Sequence, residues 1–423
     1  MKRRILAFAI LFASGCAADF EPGSNDLAVK DFSPTDHGPA DDLSQTTDLG
    51  VVDQASPDLR IVAIPDLLVP PDLTTLMCDL GPASGSDGGS AGKLYVAAVS
   101  GGKALVTSEY DPVLGTWSAS AIDGSQQVND VVIATSGPRN QPLVVARLAS
   151  SVLYAAAFQP CLAAYAQLAP VYQQLDTSTN RPSLIGGLTP DLIFKGSNNG
   201  DQHLYHTQFD GAAWSAAAQQ ATFLTTLDPA AVRVNAAVHA IHTGTDSQLY
   251  DGLVGGAAVT ITGATSSLSP AAVTGLDSTL HVVFVGTNTN LYYASRASGA
   301  GAYSAPAIVC VSGTCLATTD KTPSLALTAT GAPIVAFHGT DNHIYTSALA
   351  GAVWSSPIEA TGGELTTLPP AIASGVGAAA AELVYVRTTD GYLRHTRLST
   401  TWATAITVSP TAVSAAPALA SVP

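Results

Sequence analysis

The sequence predicts an all-β fold, a seven-bladed β-propeller of four-stranded blades, and three observations predict it. The stretch HIYTSAL at 343–349 has six counterparts: ALVTSEY at 104, VLYAAAF at 152, HLYHTQF at 203, QLYDGLV at 248, NLYYASR at 290 and YLRHTRL at 392. Their aliphatic anchors, Leu105, Leu153, Leu204, Leu249, Leu291, Ile344 and Leu393, lie 48, 51, 45, 42, 53 and 49 residues apart, the length of one four-stranded blade. Each copy also contains further short strand signals separated by turn formers.

Within a copy the first strand is led by Pro, as in RPSL at 181, DPAAV at 228, SPAAV at 269, TPSLAL at 322 and PPAIA at 369. Pro suits the first residue of a strand, where no ladder donor is lost. A second apolar run follows, such as LIFKG at 192, HVVFVG at 281, PIVAFHG at 333 and ELVYVR at 382. Between it and the anchor sit SNNGD, GTDS, GTNTN, GTDN and TTDG, whose Asn, Asp and Gly tolerate the positive φ of tight hairpins. Tyr follows the anchor in five copies, and a bulky residue comes nine to twelve positions after it: Trp117, Tyr165, Trp214, Val259, Tyr303, Trp354 and Trp402. The first copy begins at Leu94 without a Pro-led strand, and the chain ends on APALASVP without a blade after it. The expected propeller therefore spans residues 90–423, with the C-terminal strand completing the first blade and removing open edges.

The residues ahead of the propeller have another character. MKRRILAFAILFASGC carries a basic start, an apolar stretch and small residues before Cys16, the pattern of an export signal rather than a membrane span. Its end resembles the bacterial lipobox, which implies a signal peptide at 1–15, cleavage before Cys16 and lipidation of its thiol. Ala17 is not the Asp that holds many lipoproteins at the inner membrane, so the expected address is the outer membrane or cell surface. Residues 19–81 hold twelve Asp, one Glu, one Lys and one Arg and supply most of the net charge of -15. With Pro interspersed and no apolar period, residues 16–89 are expected to form a disordered, self-repelling stalk after the lipidated Cys. The acidic balance disfavours nucleic acid and anionic membrane surfaces as partners, leaving the lipid as the only membrane contact.

Four cysteines remain, and export favours their pairing. In CVSGTC, Ser312-Gly313 reads as a turn that sets Cys310 opposite Cys315, so this pair is expected to be a disulfide. Cys78 with Cys161 is then the other bridge. No His or Cys spacing forms a metal site, no cofactor is implied, and the chain lacks a GxSxG elbow, a P-loop and paired catalytic carboxylates.

The segment Phe337 to Tyr345 with Trp354-Ser355, echoed at Phe284 to Tyr292 and at Phe194 to Tyr205 with Trp214, resembles the PLL-like bacterial propeller lectins and, more distantly, the fungal fucose-lectin propellers. The resemblance implies sugar binding at seams between blades, on aromatic faces with polar side chains at the hydroxyls. The residues it nominates are Trp214 with His206, Trp354 with His343, and Trp402 with His395 and Arg394. Three readings result: a noncatalytic carbohydrate-binding module, with fucosylated or O-methylated glycans as partners; a protein-interaction or envelope scaffold; and a glycoside hydrolase. The residue two places after the anchor differs between copies, as His206, Asp251, Tyr293, Thr346 and His395 show.

Overall fold

The computed structural model describes residues 92–422, apart from 122–123, 125, 160–163, 173–176, 198–199 and 310–316. The signal peptide, Cys16, the stalk and the cysteines Cys78, Cys161, Cys310 and Cys315 lie outside the described residues.

Seven antiparallel sheets stand in a ring, each with four strand positions in order from the axis outward; in blades 2 and 6 two short strands share the outermost one. The inner strands of blades 2 to 7 are Val128–Ser136, Ser183–Ile185, Ala230–Val234, Ala271–Thr274, Ser324–Leu327 and Ala371–Ser374. The inner strand of blade 1 is Ala418–Val422, which pairs with Lys93–Val99 from Lys93↔Val422 to Ala97↔Ala418. The crowding of seven strands around one axis suits their small residues, such as Ala230, Ala271, Ala371 and Ala418.

Second strands read as continuous apolar runs because each is covered on both faces by neighbouring blades. Leu280–Val285, Pro333–His338 and Ala381–Val386 are buried at every position. The seven anchors occupy the third strands and are all buried. The apolar core is divided accordingly into clusters at the seams, with one at every pair of neighbouring blades. Each fully buried Leu there stabilises by ~1.5–3 kcal/mol.

The motif that carries the lectin resemblance proves to be framework. In blade 6, Asp341 accepts the backbone N–H of His343 at 3.2 Å and the Tyr345 hydroxyl at 2.7 Å, while Tyr345 stacks on Phe337 at 5.9 Å. Gly339 is required because a Cβ there would lie 2.7 Å from the Tyr345 ring. Asp246 with Tyr250 and Asp201 with Tyr205 repeat the arrangement.

A second repeated device is the buried hydroxyl of Ser178, Thr225, Ser266, Thr319 and Thr366, four residues before the Pro of the next inner strand. Each accepts the backbone N–H two residues on, and its own N–H bonds to a carbonyl in the turn between the second and third strands of its blade. The five outer-to-inner crossings that leave blades 2 to 6 are thus tied to the blade they leave.

Candidate functional site

Side chains alternate across a strand, so each blade offers one face to the blade before it and the other to the blade after it. The Tyr after the anchor faces the preceding blade, and the following residue faces the next one. That residue lies diagonal to a second-strand position, and in four blades the two are joined by a polar contact. Blade 3 pairs His206 Nε2 with Asp191 Oδ1 at 2.8 Å. Blade 4 exchanges the roles, with His239 Nδ1 on Asp251 Oδ1 at 2.8 Å. Blade 5 sets His281 Nδ1 against the Tyr293 hydroxyl at 2.8 Å, and blade 7 sets His395 Nε2 against Glu382 Oε2 at 2.9 Å. The corresponding residues are Leu143 and Ala155 in blade 2, and Ile334 and Thr346 in blade 6.

Three of these carboxylates also meet a guanidinium, each time from a different place in the framework. Arg233, on the inner strand of blade 4, bonds Asp191. Arg296, on the third strand of blade 5, reaches Asp251 at 2.6 Å. Arg397, two residues beyond His395, reaches Glu382 at 3.0 Å. Burial by itself would raise the Asp191 carboxyl, but hydrogen bonds from His206 and Arg233 outweigh it and hold the group below the usual range.

In blades 1, 5, 6 and 7 the bulky residue of the fourth-strand region folds back over these positions of the preceding blade. Trp117 of blade 1 donates to His395 Nδ1 of blade 7 at 3.2 Å. Tyr303 of blade 5 donates to Asp251 of blade 4 at 2.8 Å. Trp354 of blade 6 meets Tyr293 of blade 5 edge-on at 5.2 Å, and Trp402 of blade 7 donates to Thr346 of blade 6 at 2.9 Å. Blade 4 supplies no such cover: Val259 is 62% exposed, and the hairpin before it is the short Val254-Gly255-Gly256 turn. The pair on blade 3 is therefore the open one, with His206 and Arg233 both partly exposed.

This geometry corrects the sequence-based pairings. His206 faces blade 4 whereas Trp214 faces blade 2, so the blade's own sheet separates them. His395 and Trp402 are separated in the same way, one turned to blade 1 and the other to blade 6. His343 sits in the turn between second and third strands, 3.8 Å from Glu359, away from the loop that carries Trp354. Trp214 and Trp354 are 8% and 3% exposed and belong to seam cores. Arg394 is engaged by Glu364 at 3.1 and 3.0 Å and by the Ala405 carbonyl at 2.8 Å. Glu364 also accepts from Tyr385 at 2.6 Å and from Arg387 at 2.9 Å. Burial would raise its carboxyl; those donors hold it below the usual range.

Missed by sequence reasoning were Asp191, Arg233, His239, Arg296, Tyr110, Trp117 as a hydrogen-bond donor, Glu382 and Arg397. Their signal was the variable residue two places after the anchor, read together with its diagonal partner rather than alone.

The seam between blades 2 and 3 differs in kind. It holds a cleft of about 550 Å³ with Trp214, Phe209 and Tyr172 as aromatic walls and Ala155 and Ala157 among its small residues. Trp214 and Phe209 pack at 5.2 Å, and Gln167 brings a polar amide to the lining. Among the described residues no group of three or more His, Cys, Asp or Glu is placed to hold a metal ion.

No protein-family model matches the chain, and no curated protein matches it. Solved structures do resemble it. BP39L lectin from Burkholderia pseudomallei aligns over 76% of this chain and 96% of its own at 14% identity, with a TM-score of 0.60. The fucose-specific lectin from Aleuria aurantia aligns over 63% and 91% at 13% identity and a TM-score of 0.46. SapL1 lectin, solved with alpha methyl fucoside, gives 68% and 97% at 14% identity and 0.47. What is shared at 14% identity is the β-propeller fold.

Proposed function

We propose that this chain is an exported, lipid-anchored, noncatalytic carbohydrate-binding propeller of the outer membrane or cell surface. The observation that carries the reading is the aromatic-walled cleft between blades 2 and 3. Its volume is of ligand size, since small-molecule sites occupy ~300–1,000 Å³, and Trp214, Phe209 and Tyr172 supply faces for the apolar side of a sugar ring. Support comes from BP39L, which is a lectin and shares the fold, and from the polar seams, where buried carboxylates orient Arg233, Arg296 and Arg397 as hydroxyl-binding donors. Several weak seam sites on one ring suit avidity toward a glycan-covered surface. The N-terminal segment ending in Cys16 supports the address.

The test is a glycan array with residues 82–423, the propeller without its lipid. Saturable binding to a fucosylated, O-methylated or galactosylated glycan is expected. It should weaken by at least about tenfold when Ala157→Leu fills the cleft. No binding by a folded propeller would reject the reading. The scaffold reading is favoured by one observation: Val113, Leu114, Leu188, Leu276 and Val353 are exposed, and the topology puts their hairpins at the same end of the blades.

A further inference from the structure

The contact between Trp117 and His395 fixes the protonation of a buried ring. The indole N–H can only donate, so His395 Nδ1 must present a lone pair to it across 3.2 Å. The proton of the neutral imidazole is then on Nε2, where it is donated to Glu382 Oε2 at 2.9 Å. The imidazole side chain is fully buried, and the indole stands edge-on to it at 87° with ring centres 5.0 Å apart. A second proton on His395 would have to sit on Nδ1 and point at the indole N–H. Two donors would then face one another, and the bond that holds Trp117 would be lost.

We propose that His395 is a proton-controlled latch for Trp117: the neutral imidazole holds the indole over the seam between blades 7 and 1, and protonation releases it. The charged and titratable groups facing His395 are Glu382 and Arg397 from its own blade and Tyr110 from blade 1. Glu382 is already engaged by Arg397 at 3.0 and 3.2 Å and by the Val376 N–H at 3.2 Å. Arg397 is anchored to the Tyr110 hydroxyl at 3.2 Å and the Val376 carbonyl at 2.6 Å, and it opposes a second cation beside it. Burial lowers the pKa of His395 below the ordinary 6.5, with Glu382 acting against the shift and Arg397 adding to it. The latch is therefore closed at neutral pH and opens in acid.

The other wedges provide internal controls. Trp402 donates to a threonine hydroxyl, which does not titrate, and Trp354 Nε1 is buried without a hydrogen-bond partner among the described residues. Trp117 is half-buried at the edge of its seam, packed on Tyr110 and His395, whereas Trp354 is only 3% exposed within its own. Release would uncover Tyr110, Arg397 and the edge of His395. That this opening serves ligand exchange rests on the carbohydrate reading; the latch itself rests on the hydrogen-bond geometry alone.

The experiment needs no ligand. Acrylamide quenching of tryptophan fluorescence is followed from about pH 8 to about pH 5, the range in which histidine charge changes, and the Trp117 signal is isolated by subtracting the Trp117→Phe variant. Exposure of Trp117 should rise on acidification, with the latch equilibrium shifting by about tenfold for the lost hydrogen bond. In His395→Gln the amide oxygen accepts from Trp117 without titrating, so the step should vanish. In the unmutated protein, the indole N–H resonance of Trp117 should move with the same midpoint as the His395 ring protons. A step that persists in His395→Gln, or an indole resonance indifferent to the His395 titration, would overturn the latch. Glycan binding without a latch, or a latch without glycan binding, separates this inference from the lectin reading.

Discussion

The seam between blades 7 and 1 and the seam between blades 2 and 3 are built at equivalent positions from opposite chemistry. The first places Glu382 and His395 under Trp117 and ties Arg397 to them. The second places Leu143 and Ala155 beside Trp214. Both use an aromatic wedge from the following blade, and both leave the seven-sheet ring intact. The polar set is thus no requirement of the fold. A buried ion pair is at best close to neutral against apolar residues of similar volume, so the polar seam points to specificity or function rather than to stability.

The comparison can be broken most forcefully by deleting residues 416–423. This removes the inner strand of blade 1 and takes Leu419 from the 7/1 seam, while the cleft between blades 2 and 3 keeps its lining. A fall in melting temperature of about 10 °C or more is expected, read by calorimetry; an unchanged melt would mean the ring does not depend on that strand.

A smaller and more discriminating effect should come from paired substitutions. Glu382→Ala leaves the buried His395 without its acceptor and the partly exposed Arg397 without its carboxylate, and should cost ~3–5 kcal/mol in urea unfolding. Leu143→Ala should cost ~2–5 kcal/mol by opening a cavity. The decisive variant combines Glu382→Leu, His395→Ala and Arg397→Met, which gives the 7/1 seam the chemistry of its apolar counterpart. It should recover most of the Glu382→Ala loss, and a triple variant as unstable as Glu382→Ala would show that the polar set is structural after all.

The smallest effect is one of pH. His395, His242 and His281 all have pKa values lowered by burial, so the unfolded chain takes up protons first as pH falls. Their contribution is complete above the ordinary 6.5 and is lost as pH drops through the folded values. His395→Gln should reduce the pH dependence of stability in that window by at most about 1.4 kcal/mol per pH unit, one proton's share. The Leu143→Ala variant should leave it unchanged, since Leu143 and its seam partner Ala155 do not titrate.

The blades were legible because hairpin chemistry is local: the Asp341 turn, the Gly339 contact and the Tyr345 stack involve residues within a few positions of one another. The Ser or Thr four residues before each inner-strand Pro was equally legible and went unused, for it looks like ordinary loop composition until the buried hydroxyls are seen. The sites were not legible. Trp214 and His206 stand eight residues apart yet open onto different seams, while Trp117 and His395 are 278 residues apart and touch. Spacing along the chain reports which blade a residue belongs to. The side of the sheet it serves depends on strand parity and on a loop that folds back, and Val259 shows that the same spacing also occurs where no wedge forms.

The wedges all point the same way, each into the blade before its own. Adjacent blades are therefore joined by unlike surfaces, as in a head-to-tail ring of subunits, and each pairing has its own chemistry. Trp117 answers His395, Tyr303 answers Asp251, and Trp402 answers Thr346. Although the copies share one framework, their order is not interchangeable: exchanging blades 1 and 5 would bring Trp117 to Asp251 and Tyr303 to His395. Homologous sequences should therefore show covariation between the residue two places after the anchor in one copy and the wedge of the next.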